Sequence, residues 1–193
     1  MQYIEEMPAG WKHSFSPASA FKDGAPYCLS VELPINGVVR HWGQEFFFDT
    51  PVEAEVTVFR AAECVTADIS VSARALSACS RCLEPSEVAI NSNLRYLFAL
   101  RGYSKDEKSE EKTCGEDTGN EEVIEIASWD DTIDLGGLIW EVLITALPAV
   151  VLCSDECEGL CAECGANLNE GPCSCKKNVR DPRFEGLSGL LEE

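Results

Sequence analysis

The sequence predicts an α+β protein: an antiparallel, curled or barrel-like β-sheet, followed by a helix and a cysteine-rich module. Three patterns carry that expectation. Period-two alternation dominates the N-terminal half, one apolar run after residue 134 repeats at helical spacing, and six cysteines crowd between Cys153 and Cys175.

The strands come first. Tyr27–Val31 and Gln44–Phe48 read as strands. Val52, Ala54, Val56 and Val58 keep period two, as do Val65, Ala67, Ile69, Val71 and Ala73, and β-branched residues are dense. Val88–Leu97 reads as a further strand. Turn signals separate them at Pro34-Ile35-Asn36-Gly37, Asp49-Thr50-Pro51 and Glu84-Pro85-Ser86. Consecutive strands with short joins imply antiparallel pairing and a sheet that curls on itself. Cys28 and Cys64 fall in strand patterns and read as small core residues.

From Ser104 to Glu122 the chain reads SKDEKSEEKTCGEDTGNEE, without one large apolar residue. Such a composition cannot bury enough surface to offset the entropy of ordering. It is expected to be a flexible acidic linker, dividing an antiparallel β domain (1–103) from a segment (123–193) that packs back on the sheet. Val123–Ile126 would be a last strand. The run from Leu135 to Leu152 is apolar enough to suggest a membrane span, but it carries Glu141 and Pro148. A central carboxylate costs about 2.5–3.5 kcal/mol in a bilayer even on the gentlest scale. Leu135, Leu138, Ile139, Val142, Leu143, Ala146 and Leu147 instead share one helical face, with Asp134 as N-cap and Pro148 as stop. A short final helix is expected over Pro182–Leu191, capped by Asp181.

The cysteines read as metal ligands. Cys161-Ala162-Glu163-Cys164-Gly165 has the CxxCG form of a zinc knuckle, in which the two-residue gap brings both thiolates to one ion over a tight glycine turn. Cys173-Ser174-Cys175 supplies the second pair after a loop rich in Gly, Asn and Pro. The chain opens Met-Gln-Tyr-Ile-Glu-Glu, without the basic and apolar regions of a secretory signal, so a cytoplasmic, reducing setting is expected. There, clustered thiols bind metal rather than form disulfides, and a total of 11 cysteines cannot all pair.

Cys79-Ser80-Arg81-Cys82 is a further close pair. A redox role expects CxxC at a strand-to-helix turn, whereas this one joins two strands. Two partitions are open. In one, Zn2+ occupies two structural sites, Cys161, Cys164, Cys173 and Cys175 forming the first, and Cys79, Cys82, Cys153 and Cys157 the second. In the other, Cys153 or Cys157 joins Cys161 and Cys164 around a single zinc and the rest are spare. Cys114 lies in the acidic stretch without a partner at ligand spacing.

Fifteen basic against 34 acidic residues give a net charge of −19. Each zinc held by four thiolates adds −2, so two sites would bring −19 to −23. Such a chain repels nucleic acid as a whole and attracts basic proteins. Against that field, Lys176, Lys177, Arg180 and Arg183 cluster just after the last cysteine. They would meet phosphates, with Arg81, or offset the adjacent thiolate charge. Catalysis is not expected, nor a small-molecule substrate. The chain has no P-loop and no dinucleotide glycine pattern, and its two histidines, His13 and His41, sit in no nucleophile context.

Cys79-Ser-Arg-Cys82-Leu-Glu-Pro, the acidic stretch, Ile133-Asp134-Leu135, Ala146-Leu147-Pro148, LCSDECEGLCAECGANLNEGPCSC and Asp181-Pro182-Arg183-Phe184 together resemble the YceD family of large ribosomal RNA subunit accumulation proteins. The resemblance runs from the second predicted strand to the C-terminus. It implies a bacterial or organellar protein needed for normal 23S rRNA levels and large-subunit biogenesis, with no established catalytic activity. Not every member keeps the late cysteine cluster, so zinc rests on this chain's own spacing. The implied partner is rRNA or a pre-large-subunit particle, met directly through Arg81 and the four C-terminal cations. Alternatively, an acidic module escorts a basic ribosomal protein or assembly factor and the rRNA effect is indirect.

Overall fold

The computed structural model describes residues 3–20, 25–61, 64–101 and 121–175. In chain order these form β1 (Tyr3–Ile4), β2 (Ser14–Phe15), α1 (Pro17–Ala20), β3 (Tyr27–Leu33), β4 (Val38–His41), β5 (Gln44–Phe47), β6 (Val52–Ala61), β7 (Cys64–Ala78), β8 (Pro85–Leu100), β9 (Glu121–Ile126), β10 (Ile133–Asp134) and α2 (Leu135–Ala146).

β7 is the spine of the sheet. Ile69, Val71, Ala73, Ala75 and Ser77 point inward while Ser70, Ser72, Arg74 and Leu76 stay exposed, the period-two division that a half-buried strand requires. Register places apolar residues side by side: Val56 against Ile69 and Ala54 against Val71 on one flank, Ile90 against Ala73 on the other. β3 lies outside β6. Further along the same flank, β5 meets β7 at Phe47 and Leu76, and β4 pairs with β5.

The expected antiparallel, curled or barrel-like sheet is not what forms. The sheet is mixed, because β1 runs parallel to β4 and β9 runs parallel to β8. It is also open: its strand path ends at separate edges that do not pair with each other, whereas a barrel needs its first and last strands joined. The antiparallel reading assumed short joins throughout. That assumption fails after β8, where residues 101–120 separate it from β9, more than the dozen residues that a parallel return demands.

α2 covers the inner face of β7 and β8. Asp134 caps it, its Oδ1 accepting from the Gly136 amide at 3.1 Å and from the His13 amide at 3.1 Å. Leu135, Ile139, Val142 and Leu143 are buried in one continuous core with Trp11, Phe46, Val56, Ile69 and Ile90. Trp11 stacks edge-on against Trp140 at 5.5 Å and donates to the Pro34 carbonyl at 3.0 Å. Gly136 is required here, since a Cβ would collide with the Trp11 carbonyl. β10 pairs with β2, which fastens the N-terminal segment to the start of the helix. No helix among the described residues is long and apolar enough to cross a membrane.

Cys64 is buried, as its pattern suggested. Cys28 is exposed, contrary to the core reading, because Tyr27, Leu29 and Val31 take the inward positions of β3 and the pleat turns Cys28 outward. Of the acidic stretch, Glu121 and Glu122 belong to β9. Residues 104–120 with Cys114, and the segment expected to form the final helix, lie outside the described residues.

Candidate metal centre

The turn between β7 and β8 carries Cys79 and Cys82. It is closed by the Cys79 amide to the Glu84 carbonyl at 2.8 Å and the Leu83 amide to the Cys79 carbonyl at 2.9 Å. Ser80 ties this turn to the chain beyond α2, its amide donating to the Val151 carbonyl at 2.7 Å and its hydroxyl accepting from the Val151 amide at 3.2 Å. The segment is thereby laid against the turn, and Cys153 and Cys157 face Cys82 and Cys79.

The sulfurs converge. Cys79 Sγ and Cys157 Sγ are 3.7 Å apart, Cys82 Sγ and Cys153 Sγ 3.6 Å. All four lie within 4.8 Å of one another. Thiolates at about 2.3 Å from a tetrahedral zinc would sit about 3.8 Å apart, so the donor set and its spacing fit that ion. Cys79, Cys82 and Cys157 are buried, with Leu152 and Leu160 packed against them, while Cys153 is exposed. Donors outside the tetrad reach its sulfurs, among them the Arg81 amide to Cys79 at 3.5 Å and the Asn169 Nδ2 to Cys157 at 3.4 Å. The Arg81 guanidinium is turned to the Cys157 carbonyl at 2.9 Å.

Charge alternates within this group. The Cys82 amide, then that of Arg81, holds the Cys79 thiol down to about 6. The Glu84 amide favours a Cys82 thiolate, but burial and the crowding thiols of Cys79, Cys153 and Cys157 overcome it and push Cys82 up to about 12. The Asn169 amide draws Cys157 down, and the Cys157 sulfur in turn raises Cys153. Burial and the crowding of sulfurs disfavour four thiolates here, and a divalent ion would displace the protons that remain.

Cys161, Cys164, Cys173 and Cys175 form a second tetrad, again within 4.8 Å of one another and more open to water. The knuckle turn is held by the Gly165 amide to the Cys161 carbonyl at 2.9 Å and by the Cys161 amide to the Ala166 carbonyl at 2.8 Å, with Gly165 at φ +73°. That left-handed backbone explains the glycine after CxxC. Cys161 and Cys173 sulfurs are 3.4 Å apart. The Cys164 and Glu163 amides hold Cys161 down to about 6, while Cys175 is raised, first by the neighbouring Cys164 thiol.

The tetrads are those of the two-site partition, and the grouping of Cys153 or Cys157 with Cys161 and Cys164 does not occur among them. Sequence reasoning missed Asn169. It stands in the loop of the second tetrad, yet its Nδ2 donates to Cys157 of the first and its Oδ1 accepts the Glu158 amide at 2.8 Å. The Leu168 amide, bonded to the Gly159 carbonyl at 2.9 Å, holds the two loops together. The one hint in the sequence is a pair of amides, Asn167 and Asn169, between cysteine pairs. Lys176, Lys177, Arg180 and Arg183 lie outside the described residues.

The family model for the large ribosomal RNA subunit accumulation protein YceD matches residues 67–191, well over half of the chain and the whole of both tetrads. The chain belongs to the YceD family. Among curated proteins it is similar to an uncharacterized protein of Mycobacterium tuberculosis, 30% identical over 140 residues, covering 72% of this chain and 62% of that one. It is also similar to the chloroplastic large ribosomal RNA subunit accumulation protein YCED homolog 1 of Arabidopsis thaliana, 26% identical over 159 residues (75% and 50%). The homologous protein of Zea mays is 29% identical over 164 residues (73% and 53%). The chain thus spans between half and about six tenths of the length of these relatives. No solved structure matches.

Proposed function

We propose that this YceD-family chain is a non-enzymatic cytoplasmic factor in 23S rRNA accumulation and large-subunit biogenesis, built around two structural zinc sites. The observation that carries the metal part is the convergence of eight cysteines into two sets of four, each within 4.8 Å. Zinc, when bound, supplies a redox-inert tetrahedral link. Cys79 and Cys82 bring the sheet to it, Cys153 and Cys157 the segment after α2, and Cys161, Cys164, Cys173 and Cys175 pin the knuckle loop beside them. Four thiolates fill a tetrahedral shell and leave no position for a water, which favours scaffold over catalysis.

The partner reading divides on charge. Direct RNA contact through Lys176, Lys177, Arg180, Arg183 and Arg81 must work against a net charge of −19. Arg81 is already engaged with the Cys157 carbonyl. Both facts favour an acidic module that escorts a basic ribosomal protein or assembly factor.

Complementation tests the whole reading. In cells depleted of this protein, 23S rRNA should fall relative to 16S rRNA; the wild-type gene should restore it and Cys79→Ser/Cys82→Ser should not. Unchanged 23S rRNA on depletion would end the proposal. Purification of the tagged chain with and without nuclease separates the two modes, since an escorted protein survives nuclease and an RNA-bridged one is lost.

A further inference from the structure

Among the described residues, the three most exposed large apolar side chains are Trp42, Leu83 and Val150, at 73%, 64% and 62%. They are distant in sequence, yet their turns meet at Ser80. Gln44, two residues after Trp42, donates to the Ser80 hydroxyl at 2.6 Å. Leu83 shares the turn of Ser80. Val150 precedes Val151, which exchanges two hydrogen bonds with Ser80. Phe47 and Leu76, paired across β5 and β7 at this end of the sheet, add two more half-exposed apolar side chains.

The backbone marks the same place. Trp42 (φ +50°) and Leu83 (φ +64°) are the two non-glycine residues with positive φ among those described. Trp42-Gly43 is the two-residue loop of the β4–β5 hairpin, since His41 pairs with Gln44. Both loop residues are left-handed, a conformation that suits Asn or Gly and disfavours a bulky side chain. Neither strained residue is repaid by burial. Local strain and exposed apolar surface that coincide in this way are features of binding surfaces.

We propose that Trp42, Leu83 and Val150, flanked by Phe47 and Leu76, form a docking surface for a basic protein that offers an apolar pocket. The choice of partner rests on the ribosome-assembly reading above and on local charge. Glu84 follows Leu83, Glu87 stands opposite Leu76 in the sheet, and the chain as a whole carries −19. Of the nearby cations, Arg40 pairs with Glu45 at 2.9 Å and lies over the Tyr3 ring, Arg81 holds the Cys157 carbonyl, and Arg74 stands exposed beside Leu76 as a single charge. An RNA would need cations for its phosphates and flat rings for its bases, and Leu83 and Val150 offer neither. Trp42 is the anchor expected to contribute most.

The test uses the full zinc-loaded chain, with individually purified basic proteins of the large ribosomal subunit and naked 23S rRNA fragments as probes. Trp42→Asn/Leu83→Asn deletes the apolar surface with a residue that tolerates the left-handed backbone. At least one basic protein should bind the wild type and bind this variant at least tenfold more weakly, while Tm stays level or rises. Equal binding by the variant would overturn the proposal. So would protection of Trp42 by rRNA alone, or a self-association in sedimentation that the variant abolishes. If no basic protein binds but the wild-type gene still restores 23S rRNA, the docking surface falls and the biogenesis role stands. If depletion leaves 23S rRNA unchanged while a basic protein still binds at Trp42, the reverse holds.

Discussion

Replacing Asn169 with aspartate should weaken metal binding at the Cys79 tetrad and spare the Cys161 tetrad. The Asn169 side chain makes three contacts, one of them Nδ2 donating to Asn167 Oδ1 within its own loop at 2.9 Å. In the other two, Oδ1 accepts the Glu158 amide at 2.8 Å and Nδ2 donates to Cys157 Sγ at 3.4 Å. Aspartate keeps the Glu158 contact and converts the Cys157 contact from a donor beside a thiolate into a second anion. The Arg81, Glu84 and Gly159 amides also reach sulfurs of this tetrad, but Asn169 is the first influence lowering Cys157, so its loss falls on that ligand. Losing such an outer partner typically lowers metal affinity about 10–100-fold, and that is the expected drop. Zinc competition against a chromophoric chelator, with native mass spectrometry to count ions, reads the two sites separately. Asn169→Leu, which loses all three contacts, should be at least as weak as the aspartate variant at the first site. Wild-type affinity in the aspartate variant would show that Asn169 only braces the backbone at Glu158. Equal loss at both sites would mean that the loop had collapsed instead.

Three further outcomes are expected. Cys79→Ser/Cys82→Ser should lower the zinc count in native mass spectra by one and leave the knuckle loaded; an unchanged count removes these residues from the ligand set. Gly136→Ala should destabilise the fold by about 1–3 kcal/mol, because the new methyl meets the Trp11 carbonyl, and an unchanged Tm would contradict that packing. Glu141→Gln should raise Tm at pH 7. Burial first, and then the Glu122 carboxylate, hold the Glu141 carboxyl above its ordinary range. A raised folded value favours folding below the unfolded value, and that contribution is lost as pH rises through the folded one. The advantage of glutamine should therefore shrink toward pH 4, and a gap independent of pH would refute the assignment.

Individual residues show how far the sequence could be read. Asp134 and Pro148 bound the helix as their types suggested, because capping and proline geometry act within a few residues. Val52 to Val58 and Ile69 to Ala75 revealed their buried face for the same reason, the pleat having a fixed period. Cys28 misled, since a cysteine fits either face and only its neighbours Leu29 and Val31 determine which. The parallel placement of β9 was hidden because strand direction depends on where the chain returns, and no local pattern records that.

The chain by itself determined the cysteine spacing, the CxxCG turn, the helix and its ends, and the family. These depend on residue chemistry at short spacing, where covalent geometry leaves few alternatives. Only the tertiary structure decided that the sheet stays open with mixed strand directions. It also decided that Asn169 of one loop donates to the sulfur of another, and that the turns carrying Trp42, Leu83 and Val150 are joined at Ser80. Each of these joins residues apart in the chain, through the backbone ladder of the sheet or through side-chain bonds such as Asn169 to Cys157 and Gln44 to Ser80, and both depend on register and packing that no local pattern records.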